Sequence, residues 1–181
     1  MSETIKNPVM DAILSRRSTR DFKRDVQLTE TELNTILEAG IWAPTARNTQ
    51  HIHFIVIQKP EVIAKIAEGF SKNDFNDGKI RDFVYGAPTF IMLTGKKDWK
   101  YTHIDAGIVV ENMSLAAQSL GLGSLIIGCV KDYFNTEDGR KYAVELGMPE
   151  DHVFSIGIAL GHIATPTPPK PRVGDRITYI R

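Results

Sequence analysis

The 181 residues suffice for one domain, residues 1–181, with a core that buries roughly 70% of the surface its unfolded chain exposes. The 22 basic residues balance 22 acidic ones, so no global field recruits nucleic acid or an anionic membrane, and any anion site must be local. No stretch reaches the roughly 20 apolar residues that span a bilayer and the first residues lack a signal peptide's apolar run, so a cytoplasmic protein is expected. The single Cys129 excludes an internal disulfide and, inside an apolar run, reads as packing.

Asn7 as N-cap and Pro8 at the first helical position predict a short helix ending near Arg16. Arg16-Arg17-Ser18-Thr19-Arg20 then places three guanidinium groups and two hydroxyls within five positions, followed by Asp21-Phe22. Two readings stand: a solvated helix end whose arginines favour the C-terminal dipole, or a phosphate cradle built from forked donors. Thr29-Glu30-Thr31-Glu32 is a capping box that opens a second helix, with Leu33, Ile36, Leu37 and Ile41 as its inner face and Pro44 as its stop. The loop from Ala43 to Gln50 carries small and amide side chains and no carboxylate. That chemistry suits the polar edge of a neutral heterocycle better than proton transfer, although an ordinary helix-to-strand connection has the same composition.

His51 to Ile57 reads as a strand, and Pro60 opens a third helix through Val62, Ile63, Ile66 and Ala67. From Gly69 to Gly78 the chain turns polar and is expected to form a surface segment. Thr89 to Thr94 is an apolar inner strand, and the following loop carries Trp99. The stretch Ile104 to Leu120 is apolar nearly all round, with Glu111, Ser114 and Gln118 as a narrow polar seam, so it belongs in a core or under a second subunit. Gly121 caps it, and Ser124 to Val130 has the length and branching of a central strand. A helix capped by Asn135 and running to Leu146 comes next, then a last long strand from His152 to Leu160. Thr165 to Arg172 is a stiff, polyproline-like arm, and Arg176 to Ile180 is expected to pair as an edge strand.

Several nucleotide and nucleophile motifs fail. The glycine spacing from Gly123 to Gly128 is that of a P-loop, but Cys129-Val130 stand where Lys-Ser/Thr is needed. Gly121 and Gly123 follow a helix, which argues against a dinucleotide-binding turn, and no Gly-x-Ser-x-Gly is present. His51 and His53 lack a Cys, Asp or Glu at metal-ligand spacing.

Four pieces taken together resemble the flavin-dependent nitroreductase family: Arg16-Arg17-Ser18-x-Arg20-x-Phe22, Pro44-Thr45-Ala46-x-Asn48-x-Gln50, Asp105-Ala106-Gly107 leading to Gly121-Leu122-Gly123, and Leu160-Gly161 with Lys170-x-Arg172. The resemblance covers almost the whole chain. It implies an α+β fold, a mixed or antiparallel central sheet flanked by helices, with a C-terminal arm extending onto the partner subunit. It also implies FMN held at a homodimer interface. By similarity Arg16, Arg17, Ser18 and Arg20 hold the phosphate, ribityl chain and pyrimidine edge, helped by Lys170 and Arg172. Pro44, Thr45, Ala46 and Asn48 come from the other subunit, and backbone at Ile127 and Gly128 lies against the isoalloxazine. Ile127 replaces an acidic residue that some relatives carry there.

The implied activity is transfer of a hydride from NADH or NADPH to a nitroaromatic or quinone electron acceptor in ping-pong fashion. The protein orients the cofactor and supplies no obligatory nucleophile or base. A specialised flavin reductase or dehalogenase of the same family, or a flavin-binding homodimer without turnover, are the alternatives. The Gly69 to Gly78 segment and Trp99 are expected to act as lid elements.

Overall fold

A computed structural model describes residues 5–73, 79–174 and 176–181. Within them the chain runs α1 (Pro8–Ser15), α2 (Glu30–Ile41), β1 (His53–Ile57), α3 (Pro60–Asn73), β2 (Thr89–Lys96), α4 (Thr102–Ser119), β3 (Gly123–Ile127), α5 (Lys131–Asn135), α6 (Glu137–Glu145) and β4 (His152–Gly161). The strands form one antiparallel sheet in the order β1-β2-β4-β3, so the fold is α+β, as expected.

Helix boundaries follow from side-chain caps. The Asn7 Oδ1 accepts the Met10 N–H at 3.0 Å, and Thr29 and Glu32 complete their reciprocal capping box. Helix α4 closes on Gly121 at φ 73°, where the Leu122 N–H reaches the Ala117 carbonyl at 2.9 Å and the Gly121 N–H reaches that of Gln118 at 3.1 Å. Only a residue tolerant of the left-handed region closes a helix in this way.

Strand β2 is buried on both faces, which is why it reads as a continuous apolar run. Phe90 and Met92 enter a cluster with Ile66 and Phe70 of α3, Tyr133 and Phe134 of α5, and Tyr142 and Ala143 of α6. Ile91 and Leu93 enter a second cluster with Ile36 of α2 and Val109, Val110, Met113 and Ala117 of α4. In β4 the alternation changes phase. Phe154 belongs to the first cluster, whereas Ile158 and Leu160 belong to the second. The cause is a β-bulge: Leu93 pairs with Ile156 and Thr94 with Phe154, leaving Ser155 as the extra residue.

Several expectations are corrected. The stretch after α4 is an edge strand and not a central one, because β4 is its one neighbour among the described strands and it ends at Ile127. Cys129 lies beyond that end and is exposed, so it is not a packing residue. The helix expected from Asn135 to Leu146 is α6, but Asn135 does not cap it: Asn135 ends α5, and Thr136, extended at ψ 161°, caps α6 by accepting the Gly139 N–H at 3.1 Å. Residues Gly69 to Asn73 continue α3 and are not part of a polar surface segment; residues 74–78 of that segment lie outside the described residues. Described residues of the arm form no strand over 176–180 within this chain.

The edge of β3 is covered by the chain that follows α1. Ser18 bridges Ser124 in parallel, the Thr19 N–H donates to the Ser124 carbonyl at 2.9 Å, and Phe22 bridges Ile163. Phe22 is 2% exposed, and a Cβ at Gly123 or Gly161 would meet its ring at 2.9 and 3.1 Å. Two glycines thus admit one phenylalanine, and that phenylalanine fixes the path of the arginine-rich stretch beside β3.

Candidate functional site

Helix α1 ends because Arg16 turns extended at ψ 133°, and residues 16–22 then leave along β3. The three guanidinium groups differ. Arg16 is largely buried, its Nε 3.5 Å from Glu111 Oε1 on α4. Arg17 donates to the carbonyls of Leu14 and Arg16 at 2.7 and 2.8 Å, answering orphan acceptors at the end of α1. For Arg17, therefore, the helix-end reading describes its contacts. Arg20 is exposed and reaches only as far as the Ser18 carbonyl, at 3.3 Å.

Arg20, Ile127 and Gly128 come together. They line a cleft of about 170 Å³ with Arg81, Phe83, Tyr85, Leu125, Ile126 and Cys129. Ile127 is buried while Gly128 is exposed at the strand's end, so backbone there faces the opening. Sequence reading missed Arg81, Tyr85 and Cys129 as wall residues. The signal available was the Tyr85-Gly86 break: Tyr85 sits at φ 54° and Gly86 at φ 81°, a turn that swings the chain across the cleft.

The start of the arm is fastened to the same stretch. The Ala164 N–H donates to the Asp21 carbonyl at 3.0 Å, the Thr165 hydroxyl to Asp21 Oδ2 at 2.5 Å, and the Thr167 hydroxyl to the Ser18 carbonyl at 3.1 Å. Lys170 and Arg172 follow three and five residues later, both exposed and outside regular structure.

Pro44, Thr45, Ala46 and Asn48 lie elsewhere. They precede β1, the sheet edge opposite β3, roughly 14 Å away at about 4.8 Å per strand step. Thr45 and Gln50 line a separate recess of about 110 Å³ with Gly40, Ile41, Ala43, Ile52, Phe54 and Val109, which shares no residue with the Arg20 cleft. A larger cleft of about 700 Å³, between α3 and residues 80–88, holds none of the predicted residues.

Three side chains meet beneath this loop. Asp105, 1% exposed in the first turn of α4, accepts the Ala46 N–H at 2.9 Å on Oδ1, and the His51 Nε2 and Trp99 Nε1 at 3.1 Å each on Oδ2. Burial opposes its ionisation, yet the Ala46 N–H, His51 and Trp99 together outweigh that cost and hold the carboxyl below the ordinary aspartate range. Trp99, half-buried, is thereby tied to the first turn of α4. Among the described residues no group of three or more His, Cys, Asp or Glu side chains is placed to hold a metal ion. No described helix is long and apolar enough to cross a membrane.

His152, 6% exposed, shares a 3.2 Å hydrogen bond with the Thr94 hydroxyl. Burial pushes its pKa down; Asp151 works the other way, and His53, His51 and Lys96 add to the depression. Burial and Lys131 depress His103 likewise. The unfolded chain therefore takes up protons near pH 6.5 that the folded chain refuses, so stability rises with pH through that window and is lost below it. Thermal melts are expected to show a lower midpoint at pH 5.5 than at pH 7.5. His152→Gln should flatten that slope, with His103 accounting for what remains, and an equally steep slope in the variant would contradict the assignment.

Residues 13–162 match the family model described as "Nitroreductase family". A Bacteroides fragilis nitroreductase with bound FMN superimposes with a TM-score of 0.88 at 29% identity, covering 97% of this chain and 100% of that one. A Desulfitobacterium hafniense nitroreductase with bound FMN gives 0.87 at 29% identity, covering 98% and 100%. A Bacillus subtilis FMN reductase (NADPH) is 26% identical over 188 residues, 96% of this chain and 73% of that protein. With a match over residues 13–162 and a shared arrangement of the whole fold, the chain belongs to the nitroreductase family.

Proposed function

We propose that the chain is an FMN-dependent oxidoreductase that draws electrons from NADH or NADPH and delivers them to a nitroaromatic, a quinone or a similar acceptor. The observation that carries the reading is the convergence of Arg20, Ile127 and Gly128 on one cleft at the end of β3. The fit to the cofactor is chemical. The cleft joins a forked cation to an apolar floor and exposed strand-end backbone, and it lies beside Arg16, Arg17 and Ser18 on the same extended segment. Residues so arranged suit an anionic, hydrogen-bonding tail attached to a flat heterocycle. The relatives named above as FMN-bound or FMN-reducing support the same choice.

The cleft is too small alone. About 170 Å³ falls below the roughly 300–1,000 Å³ usual for small-molecule sites, so a second wall is needed. A homodimer supplies it in this reading, with Pro44, Thr45, Ala46 and Asn48 crossing from the partner. Their position at the far sheet edge supports that division of labour, because one chain does not gather both groups. Apolar surface is available for pairing: Ile41, Trp42, Ile104 and Ile108 are exposed on α2, its C-cap and α4. Val173, Ile177, Tyr179 and Ile180 are exposed on the arm, which supports its extending onto the partner, bringing Lys170 and Arg172 toward the phosphate.

Bound FMN supplies a carrier that is reduced by the nicotinamide and reoxidised by the acceptor in alternate half-reactions. The protein's share is orientation and charge. Arg20 would hold the heterocycle's edge, and Arg16 and Ser18 the tail, with Arg17 fixing the end of α1 from which that stretch leaves; buried Ile127 anchors the strand end so that the exposed backbone of Gly128 would face the ring. The polar side chains of the cleft lining are those of Arg20, Arg81, Tyr85 and Cys129.

The test is spectroscopic. Protein reconstituted with FMN should run as a dimer in sedimentation and bleach under anaerobic NADH or NADPH. Its yellow colour should return on adding a nitroaromatic or quinone. Colour indifferent to both nicotinamides would leave a flavin-binding protein and end the enzymatic reading.

A further inference from the structure

We propose that Asp105 is a positioning residue, stapling the two ends of the loop that carries Thr45, Ala46 and Asn48 so that this loop is preformed for the partner's flavin. The inference rests on the flavin reading above and adds a residue to it.

The loop is unusual in its backbone. Arg47, Asn48 and Gln50 sit at φ 57°, 54° and 47°, three non-glycine residues in the left-handed region within four positions. Side chains disfavour that region, so such a run persists only where the surroundings impose it. Part of the imposition is internal: the Asn48 N–H reaches the Thr45 carbonyl at 2.8 Å, the Gln50 N–H the Thr45 hydroxyl at 2.9 Å, and the Gln50 amide the Asn48 Oδ1 at 2.9 Å. These bonds close the loop on itself without fixing it to the fold.

Asp105 makes that attachment. One carboxylate oxygen takes the Ala46 N–H just before the left-handed run, and the other takes the His51 ring just after it. A single rigid group thereby sets the distance between the loop's ends. The His51 ring is itself oriented, because the Lys96 N–H points at its Nδ1 at 3.3 Å, leaving Nε2 to carry the proton donated to Asp105. With both nitrogens engaged and the side chain 3% exposed, His51 serves as a strut and not as a base. Trp99 donates to the same Oδ2 and lies 5.9 Å beneath the Arg47 guanidinium, so the staple also supports the loop's crest. Asp105 sits on α4, the helix whose Ile104 and Ile108 are exposed. A carboxylate on this helix thus controls how the loop is presented to a second chain.

The full-length chain tests this through three readouts on Asp105→Asn: FMN affinity by flavin fluorescence titration, amide hydrogen exchange of the FMN-free protein, and the melting midpoint. Asparagine keeps the size but turns an N–H₂ toward donors. FMN binding should weaken by about 10- to 100-fold, the scale on which groups that orient ligand-binding residues act. Faster exchange should be confined to residues 44–51. If Asp105→Asn does not fold, His51→Gln and Trp99→Phe each remove one donor and should each weaken FMN binding, in the same order as they loosen the loop. Unchanged FMN affinity in variants whose melting midpoint has dropped overturns the proposal, because a merely structural carboxylate gives that pattern. Wild-type protein that binds no FMN removes the flavin reading itself, and this proposal with it.

Discussion

Gly139→Ala is expected to lower the melting midpoint by about 6–12 °C, on about 3 kcal/mol of lost stability at about 2–4 °C per kcal/mol for a chain of this size. The added Cβ would lie 2.0 Å from the Tyr133 carbonyl oxygen, 2.7 Å from its carbon and 3.1 Å from Phe134 Cα. All three are backbone atoms, which cannot rotate aside as a side-chain end does. The crowding comes from the elbow between α5 and α6. The Thr136 hydroxyl donates to the Tyr133 carbonyl at 2.7 Å while accepting the Gly139 N–H at 3.1 Å, drawing the two helices onto one another. Relief requires moving α5, whose Tyr133 and Phe134 are buried against β4 and α6 in the first core cluster. Gly107→Ala is the matched control. It is also helical, but nothing within this chain lies within 4 Å of its added Cβ, so in melts of dilute, FMN-free protein alanine should leave the midpoint equal or higher by helix propensity of up to about 1 kcal/mol. Equal melting of both variants would mean that the elbow is not built this way.

The contrast between those glycines shows where the chain's own pattern was legible. Three caps were readable because they depend on local chemistry: Asn7, the Thr29–Glu32 box and Gly121 act as their types predict, whereas Asn135 yields to Thr136, which stands next to it with a competing hydroxyl. The apolar run of β2 was readable because burial on both faces leaves only one kind of residue acceptable. Position within the sheet was not readable. β3 is as apolar as a central strand, yet it stands at the edge, because residues 18–22 cover its outer side from far away in sequence. The bulge at Ser155 was also hidden, since one extra residue shifts the alternation of β4 without changing its composition. For the candidate site, Arg20, Ile127 and Gly128 were foreseen together, whereas Asp105 was seen only as part of a motif. Its partners Ala46, His51 and Trp99 are long-range or lie in a loop, and no spacing announces a carboxylate that collects donors from three segments.

Arg20→Ala should weaken FMN binding by about 10- to 150-fold, the loss of one charge-assisted contact of about 1.5–3 kcal/mol. The melting midpoint and the dimer should stay unchanged, because the Arg20 side chain is exposed and its contact within the chain is a long 3.3 Å bond to the Ser18 carbonyl. Arg17→Ala makes the comparison sharp. Its guanidinium answers the Leu14 and Arg16 carbonyls at the end of α1, so its loss should destabilise that helix and reach the cofactor only to the extent that the stretch moves. Fluorescence titration with FMN, run beside thermal melts, separates the two: affinity lost without stability at Arg20, stability lost before affinity at Arg17. If Arg17→Ala releases FMN while Arg20→Ala retains it, the phosphate and heterocycle contacts have been assigned to the wrong guanidinium. The cleft at the end of β3 would then have to be filled from the other face of the stretch.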